Sequence, residues 1–394
     1  MHNNITKKLL NLEEFSIKKI KNLPKELQIY VNRPVSDCSC PKCYSTSIKI
    51  HDYRTQKIKD APIRDKAVTI FYRKRRYLCK SCGKKFYESN NIVARYHRLS
   101  KRLVAYVVEQ LSSMTSAKSI SNSANISPNL ISRLLPCLAI PRKPLPRVLC
   151  IDEFRGNSGH FKYQVLLLDG ETHEIIDVLE CRYKHFLCDY FKHIPESERN
   201  NVKYVVGDLW ETYSDIAFTY FRKAKYIADH FHFIRYAVQA VDKIRKNVQR
   251  KLPKKERKYF KHSRHLLLSN HNKLTEKNCE DLLFILNNYS EDLRIAYKQK
   301  ELFCNLISSD DTYENKVAFL KDWVWQNLNS GIHELVECAK TFQHWFQAIR
   351  NSLAVPFSNG PIEGKNNKIK VLKRVTYGMK KFVDFKARIL LACS

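Results

Sequence analysis

Two cysteine pairs, Cys40-Pro-Lys-Cys43 and Cys79-Lys-Ser-Cys82, constrain the fold of this chain more than any other short stretch of it. Each sets two thiols on one tight turn, and turn-forming residues follow closely, as a zinc knuckle requires. Together they supply four thiolates, the full ligand set of a closed tetrahedral Zn²⁺ site. A redox role for CxxC needs a strand-helix-strand context that neither pair has. Cys38 is either a substitute ligand or a bystander. Other cysteines, such as Cys150, Cys188, Cys304 and Cys338, stand singly in apolar surroundings, which points to buried thiols in a reducing cytoplasm and not to a disulfide framework.

Charge narrows the partners. Lys and Arg number 70 against 39 Asp and Glu, a formal net charge of +31. Such a surplus attracts polyanions, so nucleic acid is the first partner to consider and an acidic membrane surface the second. No apolar run approaches the roughly 20 residues of a membrane span, and Met1–Ile20 mixes Lys and Asn with short apolar pieces, unlike a secretory leader. The expected setting is cytoplasmic and nucleoid-associated. With only nine glycines the chain contains neither GxxxxGK[ST] nor GxGxxG, which sets aside the common nucleotide-cradling loops.

Composition and periodicity divide the chain into five segments. Residues 1–98 form a β and zinc-binding domain. In it Phe71–Leu78 is strand-like, and its Arg73, Arg75 and Arg76 either lie on phosphates or make a solvated charged strand. Residues 99–140 switch to helical spacing, with Leu103, Val107 and Leu111 on one face. Ser127 is placed to cap a helix that Pro128 opens. This is the pattern of a helix-turn-helix, whose second helix would present Asn129, Ser132 and Arg133 to a major groove; a three-helix bundle with another purpose would read the same way. After the linker Pro141–Pro146, residues 141–237 run as three strands of an antiparallel meander, then helix, strand, helix, strand, the order of a ribonuclease-H-like core. Residues 238–350 are helical, opening with a basic arm over Asp242–Arg264, and residues 351–394 form the last segment. The expected fold class is thus multidomain α/β with a ribonuclease-H-like core.

Three acidic residues stand out. Asp152 lies inside the apolar strand Val148–Phe154, where a charge is expensive unless paired or metal-bound. Glu153 is its alternative, but neighbouring strand residues face opposite sides of a sheet. Asp208 follows Tyr204-Val-Val-Gly207 at the end of a strand, where glycine permits close backbone approach; each aspartate alone could simply cap a loop. Glu363 falls in the first turn of a helix begun by Pro361, a position that also suits a plain helix-dipole partner. What distinguishes it is the cation series that follows, Lys365, Lys368, Lys370, Lys373 and Arg374, suited to a nucleic-acid backbone. Carboxylates are the donors that hold Mg²⁺ or Mn²⁺ for phosphodiester chemistry. His230 and His232, in Ala228-Asp-His-Phe-His-Phe233, read as alternating on one strand face, where they either position DNA or a phosphate near the metals or are ordinary structural histidines; Asp229 and His232 are the candidates for supporting the site.

The segments CPKC and CKSCG, SAKSIS with ISPNLISRLL, IDEF, VVGDLW, ADHFHFIR and NGPIEGKNNKIKVLKRVTYGMKKF occur in an order that resembles DDE-type insertion-sequence transposases of the ISL-three family. The resemblance covers most of the chain, and its last motif is the most specific. It implies a ribonuclease-H-like core interrupted by an all-helical insertion, residues 238–350, and closed by residues 351–394, with catalysis by Asp152, Asp208 and Glu363 and Mg²⁺ or Mn²⁺, acting on the terminal inverted repeats of a mobile element and on target DNA. It also implies a homodimer or larger assembly on DNA. For the zinc site, metal analysis is expected to find about one zinc per chain, lost when Cys40→Ser and Cys82→Ser are combined; a well-folded protein without zinc is the contrary result.

Overall fold

The computed structural model describes residues 7–8, 10–94, 97–138 and 140–393, so part of the Met1–Ile20 stretch lies outside the described residues. The chain divides into two units, Met1–Ile140 with Lys370–Ser394, and Pro141–Ile369.

The first unit opens with β1 (Ser16–Asn22), β2 (Glu26–Asn32), β3 (Ile48–Ile63), β4 (Lys66–Cys79) and β5 (Lys85–Tyr87). Their sheet order is β1-β2-β4-β3, with β5 on β4. β3 and β4 form a long antiparallel hairpin turning at Ile63↔Lys66, and β2 joins β4 in parallel. Alternating Val68, Ile70 and Tyr72 bury one face of β4, as a half-covered sheet requires. The cations that follow are not one solvated stripe. Arg73 is exposed and Arg76 half-buried, but Arg75 is 6% exposed. Its guanidinium pairs with Glu88 at 2.8 Å and donates to the carbonyls of Arg33 and Pro34, each at 2.7 Å. The expectation that Arg75 contacts DNA is therefore corrected. A cation removed from water must be paired, and here Glu88 and two backbone carbonyls supply the partners.

Three helices follow: α1 (Lys101–Ser112), α2 (Ala117–Ala124) and α3 (Pro128–Leu134). The hydroxyls of Ser100 and Ser116 accept from Leu103 N and Ser119 N and so cap α1 and α2. Asn125, in the left-handed region at φ 50°, ends α2 and makes the turn to α3. Ser127 stands before Pro128 without a side-chain capping bond; the ring of Pro128 fixes the entry instead. Leu103, Val107, Leu111, Ile120 and Ile131 pack into one core.

The second unit holds β6 (Val148–Ser158), β7 (Phe161–Asp169), β8 (Ile175–Leu179), α4 (Lys184–Lys192), α5 (Glu196–Arg199), β9 (Tyr204–Gly207), α6 (Glu211–Tyr220) and β10 (Lys225–Ala228). Strand order is β10-β9-β6-β7-β8. The β6–β7–β8 meander is antiparallel, and β9 and β10 add to β6 in parallel. β8 is buried at all five positions, which explains why it reads as a continuous apolar run. Helices α7 (His230–Lys251), α8 (Lys254–His262), α9 (Arg264–Leu268), α10 (Glu276–Asn288), α11 (Glu291–Ser308), α12 (Tyr313–Leu328), α13 (His333–His344) and α14 (Phe346–Leu353) come next, then α15 (Gly360–Val375) and α16 (Phe382–Ala392). Phe233, Phe303, Trp323 and Phe342 stack edge-on and tilted in the core of these helices.

Two placements differ from expectation. His230 and His232 open α7 and are not strand residues, and the division expected at 237/238 falls within that helix. The spacing of Phe233, Ala237, Val241 and Ile244 buries a helical stripe, which outweighs the short alternation around the histidines. Residues 351–394 also do not stay together. α16 lies in the first unit, where Ala387 joins the core of α1–α3 and Arg388 donates to the carbonyls of Ser113 and Thr115.

Glu88 also accepts from Tyr72 Oη and Arg75 N, each at 2.8 Å. Removing one partner of a buried pair strands the other, so Glu88→Ala is expected to cost about 3 kcal/mol, read from denaturant midpoints. An unchanged midpoint would show the pair to be incidental.

Candidate functional site

The parallel strands set the site's geometry. β6 pairs with β9 through Cys150↔Val206, and β9 with β10 through Gly207↔Ala228. Asp152 lies two residues beyond Cys150, Asp208 one beyond β9 and Asp229 one beyond β10. Three carboxylates thus emerge at the same carboxyl-terminal edge, the usual location of sites in open sheets with parallel strands. Gly207 makes the approach possible. A Cβ there would meet Tyr226 Oη at 2.7 Å, and that hydroxyl is held in place by donating to the Asp208 carbonyl.

Glu363 arrives from far along the chain. The Asp229 carboxylate accepts from Asn359 N at 2.8 Å, and Asn359 Nδ2 donates to the Ile151 carbonyl at 3.3 Å. Glu363 N then donates to the Asn359 carbonyl at 3.0 Å, closing the first turn of α15. One turn further, Asn366 Nδ2 donates to Asp152 Oδ2 at 2.7 Å, while Asp152 Oδ1 accepts from Glu153 N. The helix that carries Glu363 is therefore bonded to the strand that carries Asp152. Asp152, Asp208, Asp229, His232 and Glu363 all line one cavity of about 700 Å³.

Its electrostatics suit a cation. Burial, reinforced by the charge of Asp208, pushes the Asp152 carboxyl up to about 7. Burial likewise raises Asp229, against the opposing Asn359 amide and His232. His232 Nε2 lies 2.9 Å from Asp208 Oδ1. Burial alone would lower this imidazole, but Asp208, Asp229 and Asp152 together raise it. A hard divalent cation matches an all-oxygen set whose negative charge is costly without one. The three carboxylates share the cavity without closing into a preformed cage; among the described residues, only the four cysteines bring three or more ligand atoms within 4.8 Å of one another.

Glu153 also lines the cavity, but its carboxylate is paired with Arg182. Sequence reasoning did not single out Arg182, which lies over Tyr163 at 4.4 Å and Trp210 at 5.4 Å. Nor did it find the exposed Phe231 and Arg235 that line the same cavity. These residues carry no spacing signal, because only the fold brings them to the acidic edge.

The cysteine cluster is closed. Cys40 Sγ and Cys82 Sγ are 3.6 Å apart, as are Cys43 Sγ and Cys79 Sγ. Tyr44 (φ 56°) and Gly83 (φ 70°) turn the chain after each pair, donating to the Cys40 and Cys79 carbonyls. Desolvation acts to raise Cys79, yet the backbone N–H groups of Cys82 and Ser81 hold it down at about 6, while Cys43, against the Ser45 backbone N–H, is pushed up to about 12 by the neighbouring sulfurs. Cys38 stands outside the four-sulfur cluster, so of its two readings the bystander holds.

The remaining candidates are distributed as follows. Asn129, Ser132 and Arg133 are exposed on α3. Arg73 stacks over Tyr53 at 4.1 Å, and Arg76 lies 3.6 Å from Asp52. Lys368, Lys370 and Arg374 are exposed on α15, with Lys365 and Lys373 half-buried.

Comparison with known proteins gives concordant matches. Residues 149–389 match a family described as transposase, residues 36–82 one described as zinc-finger of transposase IS204/IS1001/IS1096/IS1165, and residues 88–135 one described as helix-turn-helix domain of transposase family ISL3. The chain is 24% identical over 360 residues to the transposase for insertion sequence element IS1001 of Bordetella parapertussis, covering 89% of this chain and 88% of that one. It is also 34% identical over 137 residues to a Lactococcus lactis subsp. lactis protein named ATP-dependent protease, covering 35% of this chain and 39% of the other.

A carboxyl whose folded pKa lies above its unfolded one loses stability as pH rises between the two values. For Asp152 that window runs from its ordinary value of 3.8 to about 7. Asp152→Asn is therefore expected to raise the melting temperature of the metal-free protein at pH 8 and to leave it little changed at pH 4. An equal shift at both pH values would remove burial of this carboxylate as the cause.

Proposed function

The chain belongs to transposase family ISL3, and from that premise we propose that Asp152, Asp208 and Glu363 are the residues with which it cuts and joins DNA. The observation that carries the assignment is their meeting in one cavity from three elements distant in sequence. The sheet order β10-β9-β6-β7-β8 supports a ribonuclease-H-like core, and the helical run from α7 to α14 reads as an insertion between the second aspartate and the glutamate.

A divalent ion such as Mg²⁺, held by these carboxylates, supplies charge stabilisation at the phosphate and lowers the pKa of the attacking oxygen. The chain's own residues do the rest. Asn366 fixes the Asp152 carboxylate. Asp229 and Asn359 anchor the start of α15, so that Glu363 stays on the cavity wall. His232 holds Asp208 and balances part of the acidic charge. Arg235, exposed on the same wall, is placed to meet the scissile phosphate. In this reading water attacks the phosphodiester at the element end and displaces a 3′ hydroxyl, which then attacks a target phosphodiester in line and displaces the target strand's own 3′ oxygen.

DNA recognition falls to the first unit. Asn129, Ser132 and Arg133 of α3 read base edges of the terminal inverted repeats, and Arg73 and Arg76 contact backbone phosphates. Lys365, Lys368, Lys370, Lys373 and Arg374 of α15 also contact backbone phosphates in this reading. Joining two ends requires at least two copies on DNA. A regulator that only binds DNA would need none of the carboxylate edge, so it is the weaker reading.

With Mg²⁺ or Mn²⁺ and end-containing DNA, Asp152→Asn, Asp208→Asn and Glu363→Gln are each expected to reduce strand cleavage by at least about 10³-fold. DNA binding, measured in parallel by gel shift, should persist. Normal cutting by all three variants would refute the assignment.

A further inference from the structure

A second cavity, of about 400 Å³, lies within the first unit and shares no lining residue with the acidic edge. One wall is the helix-turn-helix, through Ile131, Ser132 and Arg133 of α3. The other is the segment that runs from Thr376 into α16 and includes Lys380, Lys381 and Arg388. Arg388 is 1% exposed. Its Nη2 donates to the carbonyls of Ser113 and Thr115, in the turn between α1 and α2, which fixes the guanidinium plane. Its Nη1 is buried and has no hydrogen-bond partner among the described residues.

An unpaired buried donor on a cation is costly and calls for an acceptor. The lining decides what kind. Arg133, Lys380, Lys381 and Arg388 face a single acid, Asp384, which is 8% exposed. Burial raises the Asp384 carboxyl, against the opposing charge of Lys381, and the four cations of the lining outnumber it. A cationic guest would add to the repulsion, and a neutral one would leave the guanidinium uncompensated. An anion with several acceptor oxygens satisfies Arg388 Nη1 and the lysines at the mouth. Because the facing wall carries Ser132 and Arg133, exposed on the second helix of the helix-turn-helix, the anion within reach is that of the nucleic acid itself.

We propose that this cavity receives a phosphate of the DNA backbone, held by Arg388, Lys380 and Lys381, so that the C-terminal helix sets the register in which α3 enters the groove. The contact positions the protein and carries no sequence information itself. The assignment rests on the reading of α1–α3 as a DNA-binding helix-turn-helix. It adds a site that neither that motif nor the carboxylate edge contains.

The test uses the full chain, fluorescence anisotropy, and duplexes taken from the DNA flanking its reading frame, each with one phosphate replaced by a neutral methylphosphonate. One position is expected to weaken wild-type binding about tenfold. The same position should have little effect on Lys380→Ala/Lys381→Ala, whose side chains are exposed and whose loss spares the core. It should have equally little effect on Ala117→Met, which fills the cavity without removing a charge. The salt dependence of binding should flatten in the lysine variant by a slope of about 0.9 per lost contact. If wild type still prefers the flanking duplex to a scrambled one but no methylphosphonate position loses its effect in both variants, the cavity assignment is overturned and the helix-turn-helix reading stands. If wild type binds both duplexes alike, the helix-turn-helix reading fails and the cavity assignment falls with it.

Discussion

Placing Asp152 on a buried central strand is the constraint on which the second unit is organised. β6 lies between β9 and β7, and the side chains flanking Asp152 along it, Ile151 and Phe154 among them, are buried. A carboxylate there gives up most of its hydration, and the unfavourable energy appears as a carboxyl raised to about 7. Stability alone would favour an apolar residue. The neighbours that make the acid tolerable, the Asn366 amide and the Glu153 backbone N–H, are also the groups that hold it in one orientation.

The tie from Asn366 has a structural consequence beyond Asp152. It attaches α15 to the middle of the sheet, while Asn359 attaches the same helix to Asp229 and to the backbone of Ile151. Glu363 itself is exposed, so its position comes from these buried amides on either side of it and not from packing of its own. Directed amide bonds are the economical way to hold an exposed, functional acid, since they fix direction without surrounding it with apolar atoms. The price in specificity is carried by Asn359 and Asn366, both buried.

The first unit is built on different forces. Its sheet buries one alternating face, its helices share a small aliphatic core, and four thiols draw together the turn after β2 and the turn after β4. A small β domain with a long, largely charged hairpin has little apolar area to bury, and metal ligation compensates for that. The buried pair of Arg75 and Glu88 contributes at the same end of β4, so that one cation in a basic run became structural while its neighbours remained near solvent.

Local chemistry made much of this legible in advance. The cysteine pairs, the Pro128 helix start, the apolar runs of β7 and β8 and the three acids all express constraints that act within a few residues. The ligand count of a metal, the fixed φ of proline and the two-residue period of a strand do not depend on distant contacts. What the chain order did not reveal were the matters decided by long-range pairing: that Arg75 meets Glu88 and not a phosphate, that the Asp229 to His232 segment turns into a helix, that Asn366 reaches back to Asp152, and that α16 joins the helices near residue 120. A side chain's partner across more than two hundred residues depends on register, crossing angle and which face of a helix is already covered. Those quantities exist only once the sheet has formed and its edges have been filled.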